Sequence, residues 1–455
     1  NYHMIFKMKN KMFCSANSFS KTWVLLLIIF IITFQSSFAQ NKESKPNIIL
    51  IMADDLGFET IGTYGSISYN TPRIDKMAAE GVKFNNCYSQ PLCTPSRVKI
   101  MTGKSNFRNY KRWGYLDQNE TTFAHLLKSN GYATCIAGKW QLKGDEYGPY
   151  KAGFDEYLLW QISFTSYNER YKNPRVVNNG KQIKYENGEY GPRVFTDYLM
   201  KFMERNKDEP FFIYYPMVLT HRPYVPSPDS DDYNDFVVAS KGGSKATVSD
   251  PIYFKDEVEY MDKVIGELID KTHELGIDKN TLILFTADNG TGHEVISKMK
   301  DGKIIQGMKG ETNKYGRHVP LVAYWNKTIK PGQVNDDLID FSDFLPTLCE
   351  VGNVKIPETF ITDGYSFLPF LLGKDYTPRD YIFCHYDPGK TQYPKKRFVH
   401  NKELKLYGNG DIFNIKKDPL EQSKIEEYNL SKKQKVLISN FKSVLEEMQV
   451  TTIDN

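Results

Sequence analysis

Few residues of this chain suit metal–thiolate chemistry, and those few are poorly placed for it. Six cysteines in 455 residues fall at spacings that match no zinc pattern. No stretch repeats, and no low-complexity tract interrupts the chain, which excludes solenoids and long disordered linkers. Tryptophan is scarce at 5, against 30 tyrosines and 28 phenylalanines, most of which a chain of this size needs for its core. Long hydrophobic runs are also missing, apart from Trp23 to Phe34, which is short for a membrane-spanning helix.

That run reads as the core of a leader. Lys7, Lys9, Lys11 and Lys21 precede it and Ser37-Phe38-Ala39 follows it, the order of a secretory signal peptide, with Gln40 as the first mature residue. No cysteine follows the cleavage point, which argues against a lipid anchor. The expected destination is therefore the periplasm or the exterior, with no membrane association after cleavage. Removing 1–39 takes away four lysines and no acids, so the formal charge of +4 falls to zero. A neutral chain gives no basis for nucleic-acid binding or long-range steering of polyanions. Cys87, Cys93, Cys135, Cys349 and Cys384 remain, an odd number that singles out one cysteine for a separate task in an exported protein.

From Pro46 to about Leu372, apolar runs alternate with segments of helical period, which predicts an α/β fold with buried strands. Four runs deliver polar residues at or just past their ends. Asn47 to Ala53 leads into Asp54-Asp55, and Tyr132 to Ala137 into Gly138-Lys139-Trp140-Gln141. Phe211 to Met217 leads to Thr220-His221-Arg222-Pro223, and Thr281 to Thr286 to Asp288-Asn289-Gly290. Ligand sites in open α/β sheets gather at the carboxyl ends of strands, so these four ends predict one shared site. Helices are expected from Pro72 behind a capping Thr71, over Thr122–Asn130, and over Lys255–Leu275, with a long surface loop over 223–251. After Gly373, short strands (Tyr381–His385, Lys405–Tyr407, Asp411–Ile415) and a helix over Ser431–Met448 predict a small antiparallel C-terminal subdomain. The expected division is 1–39 leader, 40–373 catalytic domain and 374–455 C-terminal subdomain.

Asp54, Asp55, Asp288 and Asn289 form a set of hard oxygen ligands, suited to Ca²⁺ or Mg²⁺ and unsuited to zinc or copper. Cys93-Thr94-Pro95-Ser96-Arg97 lies between them in sequence, preceded by Tyr88-Ser89-Gln90-Pro91 and followed by Ile100-Met101-Thr102-Gly103-Lys104. Through this Cys-x-Pro-Ser-Arg pattern and its surroundings, the chain resembles the type I, formylglycine-dependent sulfatases of the alkaline-phosphatase superfamily. The resemblance spans most of residues 46–372 and continues more loosely through Lys405-Leu406-Tyr407 to Asp418-Pro419-Leu420-Glu421.

The resemblance implies a large alkaline-phosphatase-like α/β/α domain around a mixed, mainly parallel sheet, with the small antiparallel subdomain appended. It implies that a formylglycine-generating enzyme converts Cys93 to 3-oxoalanine. It also implies a Ca²⁺ site made of Asp54, Asp55, Asp288, Asn289 and residue 93. Lys139 and Lys309 match the sulfate-binding lysines, His221 the histidine that touches sulfate and leaving group, and Arg97 the arginine supporting the nucleophile. In the implied mechanism the hydrate of residue 93 attacks sulfur, Asp288 accepts its proton, and the alcohol leaves with a proton from His221 or Lys309. The second hydroxyl then loses its proton and expels sulfate.

Two departures stand out. Gln141 occupies the place of the family's histidine after Gly-Lys-Trp, and glutamine cannot take a proton at neutral pH. Either another base replaces that histidine, with His318 and His293 as candidates, or sulfate expulsion proceeds with hydrogen-bonding help alone. The stretch Tyr315-Gly316-Arg317-His318-Val319-Pro320 also differs from the family's usual residues there. For substrate, Tyr64, Trp113, Tyr167, Tyr224 and His385-Tyr386 are candidate sugar-stacking groups, and Lys395-Lys396-Arg397 is either a neighbouring anion site or a solvated basic loop. A sulfated polysaccharide or oligosaccharide, algal or animal, is the expected substrate. The alternatives are a phosphonate monoester or phosphodiester hydrolase of the same superfamily, or a sulfated-glycan binding protein that has lost turnover at Gln141.

Overall fold

The computed structural model describes residues 45–162, 170–235, 250–389 and 392–450. The expected leader, the sugar-stacking candidate Tyr167 and residues 236–249 of the 223–251 loop lie outside those residues. No helix among the described residues is long and apolar enough to cross a membrane.

Strands β1 (Asn47–Ala53), β2 (Val82–Tyr88), β3 (Ala133–Lys139), β4 (Glu156–Trp160), β5 (Arg175–Asn178) and β6 (Lys181–Lys184) come first in the chain. They are followed by β7 (Phe211–Pro216), β8 (Thr281–Ala287), the hairpin β9 (Ile296–Lys298) and β10 (Ile304–Gln306), β11 (His318–Tyr324), β12 (Gln333–Asn335) and β13 (Ile339–Asp340). All but the hairpin join one 11-stranded sheet in the order β12-β2-β11-β8-β1-β7-β3-β4-β5-β6, with β13 beside β2. Its centre, β8-β1-β7-β3-β4, is parallel, and β11 runs antiparallel against both β8 and β2.

The order of these strands makes the site. The four runs that end in polar residues are β8, β1, β7 and β3, four consecutive parallel strands, so all their carboxyl ends open on the same edge. Every residue of β1, β7 and β8 is buried, so both faces of the sheet are covered, the usual state of a parallel sheet flanked by helices. Asn47 clamps the opposite end: its amide donates to Thr281 (3.3 Å) and its carbonyl accepts from the Phe211 amide (3.2 Å), tying the start of β1 to both neighbours.

The covering helices follow local signals. Helix α1 (Pro72–Ala79) begins with proline at its first turn, but the Thr71 hydroxyl accepts from the Gly62 amide (2.9 Å) and makes no capping bond. In α3, counted after α2 (Cys93–Thr102) and spanning Phe123–Ser129, Thr122 does cap, accepting from Ala124 (3.1 Å) and His125 (3.4 Å). Helices α4 (Gly191–Asn206), α5 (Phe254–Glu274) and α6 (Phe344–Val351) complete the layers, with Gly276 at φ +69° just past the end of α5.

A second, four-stranded antiparallel sheet runs β14 (Ile382–Tyr386), β15 (Lys396–His400), β16 (Leu404–Tyr407) and β17 (Ile412–Asn414), in chain order. Its core is its own: Val399, Leu404 and Leu406 pack against Ile438, Phe441 and Leu445 of α7 (Lys432–Val450). Of the basic triplet, Lys395 is exposed ahead of the strand, and only Lys396 and Arg397 depart from a solvated loop. Lys396 and Arg397 open strand β15 and pair with Tyr386 and His385.

Candidate active site

At the carboxyl edge of the sheet, β1 ends in Asp54 and Asp55 and β8 in Asp288 and Asn289, all of them buried. Asp55 turns the chain sharply at φ +62°, a left-handed conformation that aspartate tolerates better than most residues. Its backbone amide donates to Asp288 Oδ1 (3.0 Å), and Asn289 Nδ2 donates to Asp55 Oδ1 (2.8 Å). These two bonds lock the strand ends together and fix which way the amide of Asn289 points. Asn289 Oδ1 and Asp54 Oδ1 are then left buried with no hydrogen-bond partner among the described residues.

Unsatisfied buried oxygens are costly unless something else takes their lone pairs. A hard divalent cation does so, and the donor set of three carboxylates and one amide oxygen fits Ca²⁺ or Mg²⁺. Oxygens of Asp54 and Asp288 and the Cys93 sulfur lie within 4.8 Å of one another, as do ligand atoms of Asp54, Asp55 and His221. Burial pushes the Asp288 carboxyl up to about 8, helped by the charge of Asp54 and opposed by Arg97 and Lys139. Burial acts on Asp54 in the same direction, but the Lys139 ammonium overrides it and holds that group below the ordinary carboxylate range. A cation held by these oxygens would favour the ionised form of both carboxyls.

Cys93 is the first residue of α2, a helix buried along its whole length, so the thiol stands at a helix amino terminus where anions are favoured. Its pKa is raised by burial, against the pull of Lys139. Arg97, one turn on, donates to the Lys139 carbonyl (3.1 Å) and approaches Asp288 Oδ2 at 3.4 Å, bracing α2 against β3 and β8. Lys139 ends β3 and puts its ammonium 2.6 Å from Asp54 Oδ2. That reach depends on Gly138 at φ +117°, where a Cβ would fall 2.1 Å from the Pro216 carbonyl of β7. Lys309 pairs with Asp55 Oδ2 from the other side. Burial works against its charge, but Asp55 more than offsets this and raises its pKa.

His221, beyond β7, places Nε2 3.6 Å from Asp55 Oδ2, while Nδ1 faces the Arg222 carbonyl (2.6 Å) and Arg170 Nη2 (2.9 Å). Burial, with Lys309 beside it, drives its pKa well below the usual value and leaves the ring neutral. Gln141 lies next to Cys93, with Oε1 3.6 Å from its sulfur. Gln141 (φ +53°) and Gln161 (φ +58°) both adopt the left-handed region, which suits glutamine poorly and costs about 1 kcal/mol or more each.

These groups open into a cavity of about 610 Å³. The structure thus brings together Cys93, Arg97, Lys139, Gln141, His221, Lys309 and the four oxygen ligands. Other candidates fall elsewhere. His318 is buried 4.1 Å from the Phe58 ring and 5.2 Å from Tyr88, with Nε2 on the Asn85 carbonyl (2.9 Å), so it cannot replace a base beside residue 93. His293 does line the cavity, with Nε2 on the Lys309 carbonyl (2.8 Å). Tyr64 is turned away, donating to the carbonyls of Phe84 and Leu321 (both 2.8 Å). Trp113 and Tyr224 line the cavity, but His385 and Tyr386 line a different one.

Sequence reasoning missed Gln161, Glu294, Gln392 and Tyr393 in the cavity wall, and Arg170 behind His221. Gln392 and Tyr393 arrive from the connection between β14 and β15, about 300 residues from Cys93 and without a motif to mark them. The cysteines Cys87, Cys93, Cys135, Cys349 and Cys384 are all buried and free.

Comparison with known proteins places this geometry. A family profile described as Sulfatase matches residues 46–354, and a second, described as N-sulphoglucosamine sulphohydrolase, C-terminal, matches residues 312–451. The N-acetylgalactosamine-6-sulfatase of Canis lupus familiaris is 30% identical over 400 residues, covering 80% of this chain and 73% of that protein. An arylsulfatase of Hemicentrotus pulcherrimus is 29% identical over 75% of this chain, which spans 64% of its length. Among solved structures, Ps i-CgsB in complex with k-i-k-neocarrahexaose superposes with a TM-score of 0.70 at 25% identity, over 89% of this chain and 92% of that one.

Proposed function

The chain belongs to the sulfatase family of enzymes, and from that membership we propose that it hydrolyses sulfate esters on an oligosaccharide or polysaccharide, with a formylglycine made from Cys93 as nucleophile and a divalent cation, Ca²⁺ before Mg²⁺, beside it. The observation that carries this reading is the position of Cys93. It sits at a buried helix amino terminus, within 4.8 Å of Asp54 and Asp288 oxygens, at the floor of a cavity shared with Lys309 and His221.

Asp54, Asp55, Asp288 and Asn289 would hold the cation, which supplies Lewis-acid polarisation of a sulfuryl oxygen when bound. As an aldehyde hydrate, residue 93 supplies the attacking hydroxyl. The remaining work belongs to the chain's own side chains. The ammoniums of Lys139 and Lys309, fixed by Asp54 and Asp55, offer positive charge to the sulfuryl oxygens where charge develops. Because Asp55 keeps Lys309 firmly protonated, Lys309 serves better as a cation than as an acid. His221 is the better proton carrier: an anionic ester beside Nε2 opposes the shift that keeps the free imidazole neutral, and the proton gained is available to the leaving oxygen. Gln141 can orient a hydroxyl at residue 93 but cannot deprotonate it.

The sugar-bearing ligand of Ps i-CgsB and the substrate named for the canine relative both point to carbohydrate esters. Export through the leader at 1–39, and maturation by a formylglycine-generating enzyme, complete the proposal. Its test is release of free sulfate from a panel of algal and animal sulfated oligosaccharides. The protein is co-produced with the maturation enzyme, and Cys93→Ala serves as the control. Release by the unsubstituted protein alone supports the proposal. No release, with the aldehyde confirmed at residue 93, rejects it; turnover of a phosphonate ester in a parallel assay would then identify the other hydrolase of the superfamily.

A further inference from the structure

Two sequence features left without a role, His385-Tyr386 and Lys395-Lys396-Arg397, line one cavity of about 670 Å³. Its walls come from two places. Strands β14 to β16 contribute His385, Tyr386, Lys396 and Tyr407 and the turn after β16 contributes Asn409, while the segment just beyond the active-site lysine contributes Glu311 to Asn313.

The cavity adjoins the active site through two short stretches of chain. Lys309 lines the first cavity and Glu311 the second; Tyr393 lines the first and Lys395 the second. Each stretch is two residues, at most about 7 Å of extended chain, a step on the scale of one sugar residue. The partition between them is thin. Gly310 lies flat against Tyr393, where a Cβ would stand 2.5 Å from the ring.

The charges inside the second cavity are unevenly committed. Of the three acids in its wall, Glu421 is paired with Lys405 (2.7 Å) and Asp411 with Lys424 (2.7 Å), while Glu311 makes no ion pair among the described residues. Lys395 reaches Asp387 (2.7 Å), and Arg397 donates to the Leu445 carbonyl (2.7 Å). Lys396 differs: its ammonium donates to the Thr312 hydroxyl (3.2 Å) and makes no ion pair among the described residues. Tyr386 lines the same cavity at 1% exposure with its hydroxyl unpartnered, and His385 Nδ1 is likewise buried and unpartnered. Buried polar groups without partners are uncommon, and here two of them share a cavity with an ammonium that rests on a hydroxyl and the Tyr407 ring (5.9 Å) and has no ion pair among the described residues. Asn409 and Glu311 add an amide and a carboxylate suited to sugar hydroxyls.

We propose that this cavity is a second glycan-binding site, which seats an anionic sugar, bearing sulfate or carboxylate, of the same oligosaccharide whose sulfate ester lies at Cys93. The inference rests on the sulfatase reading above, and it makes the preferred substrate an oligosaccharide carrying at least two anionic groups.

The test compares substrates of different length. Turnover of 4-nitrophenyl sulfate, which reaches only the first cavity, is measured beside turnover of carrageenan and chondroitin 6-sulfate hexasaccharides. Binding of the same hexasaccharides to Cys93→Ser protein is measured by calorimetry. Lys396→Ala is expected to weaken hexasaccharide binding and raise its KM by about tenfold, the scale of one lost charged hydrogen bond. It should leave 4-nitrophenyl sulfate turnover within about twofold, and Lys396→Arg should restore the hexasaccharide affinity. Hexasaccharide binding unchanged by Lys396→Ala, or no hexasaccharide binding while 4-nitrophenyl sulfate is still turned over, overturns the second site and leaves the sulfatase reading intact. Loss of both activities in the unsubstituted protein overturns the reading on which the site depends.

Discussion

Gln141 touches the nucleophile position directly and carries no base, which has a kinetic consequence. If proton removal from residue 93 limits sulfate expulsion, the alcohol should appear in a burst ahead of free sulfate. A positioned base contributes about 10² to 10⁴ in rate, so Gln141→His should abolish the burst and raise kcat by at least about tenfold with KM little changed. Rapid-mixing measurements that follow alcohol and sulfate separately decide this; no burst in the unsubstituted protein would show that glutamine is not limiting.

Glu59 offers a test of stability at the same scale. It is fully buried behind the site, where burial raises its carboxyl to about 7 against the hydrogen bond from the Thr291 hydroxyl (2.7 Å). Its other oxygen has no partner. The folded state therefore keeps a proton that the unfolded chain loses near 4.5, so the protonated carboxyl's stabilisation is full below about 4.5 and declines as pH rises towards about 7. The slope from this group is about 1.4 kcal/mol per pH unit across that window. Glu59→Gln keeps the acceptor for Thr291 and should flatten the slope, as read from urea denaturation at a series of pH values.

At the scale of elements, the C-terminal sheet grips the loop that follows Lys309. The Lys405 ammonium, buried on β16, donates to the Thr312 carbonyl (2.6 Å) and to Glu421 (2.7 Å), while the Tyr407 hydroxyl meets both Thr312 (2.8 Å) and Glu421 (2.5 Å). Removing one partner of a buried ion pair strands the other, at a cost of about 3 to 5 kcal/mol. Lys405→Ala should therefore destabilise the protein by that order. The pair Lys405→Met with Glu421→Gln should recover most of it, since neither charge is then left buried alone. Denaturant titration of the three variants measures the difference.

The same elements show what could be read from sequence. β1, β7 and β8 announce themselves as unbroken apolar runs because a parallel strand is buried on both faces. The polar residues at their ends interrupt those runs abruptly, so the clustering of Asp54, Asp55, Asp288, Asn289 and His221 was legible, as was Lys139 at the end of β3. β15 was not, because Lys396 and Arg397 sit at its mouth and imitate a solvated loop. Gln161, Glu294 and Tyr393 were not either. They lie on connections whose approach to Cys93 depends on the register of distant strands, and no local pattern records that.

At the scale of the whole molecule, the oxygen cluster is a seam between the two halves of the sheet, since Asp54 and Asp55 follow β1 and Asp288 and Asn289 follow β8 across a long stretch of chain. A cation bound there is linked to global stability, because the unfolded chain does not assemble the ligands. At a hundred times its dissociation constant it stabilises by about 2.7 kcal/mol. Thermal unfolding should therefore rise by a few degrees with added Ca²⁺, in Cys93→Ala protein as well, since three carboxylates and an amide oxygen remain. Asp288→Asn separates the two contributions. It removes a carboxyl that burial and Asp54 push up to about 8, while an amide oxygen can still accept from the Asp55 backbone. The metal-free protein should lose stability with the carboxylate that faces buried Arg97 at 3.4 Å, and its response to Ca²⁺ should be lost or greatly reduced. A calcium response that survives Asp288→Asn unchanged would place the ion elsewhere, and a metal-free variant that unfolds outright would show that Asp288 serves the fold before it serves the ion.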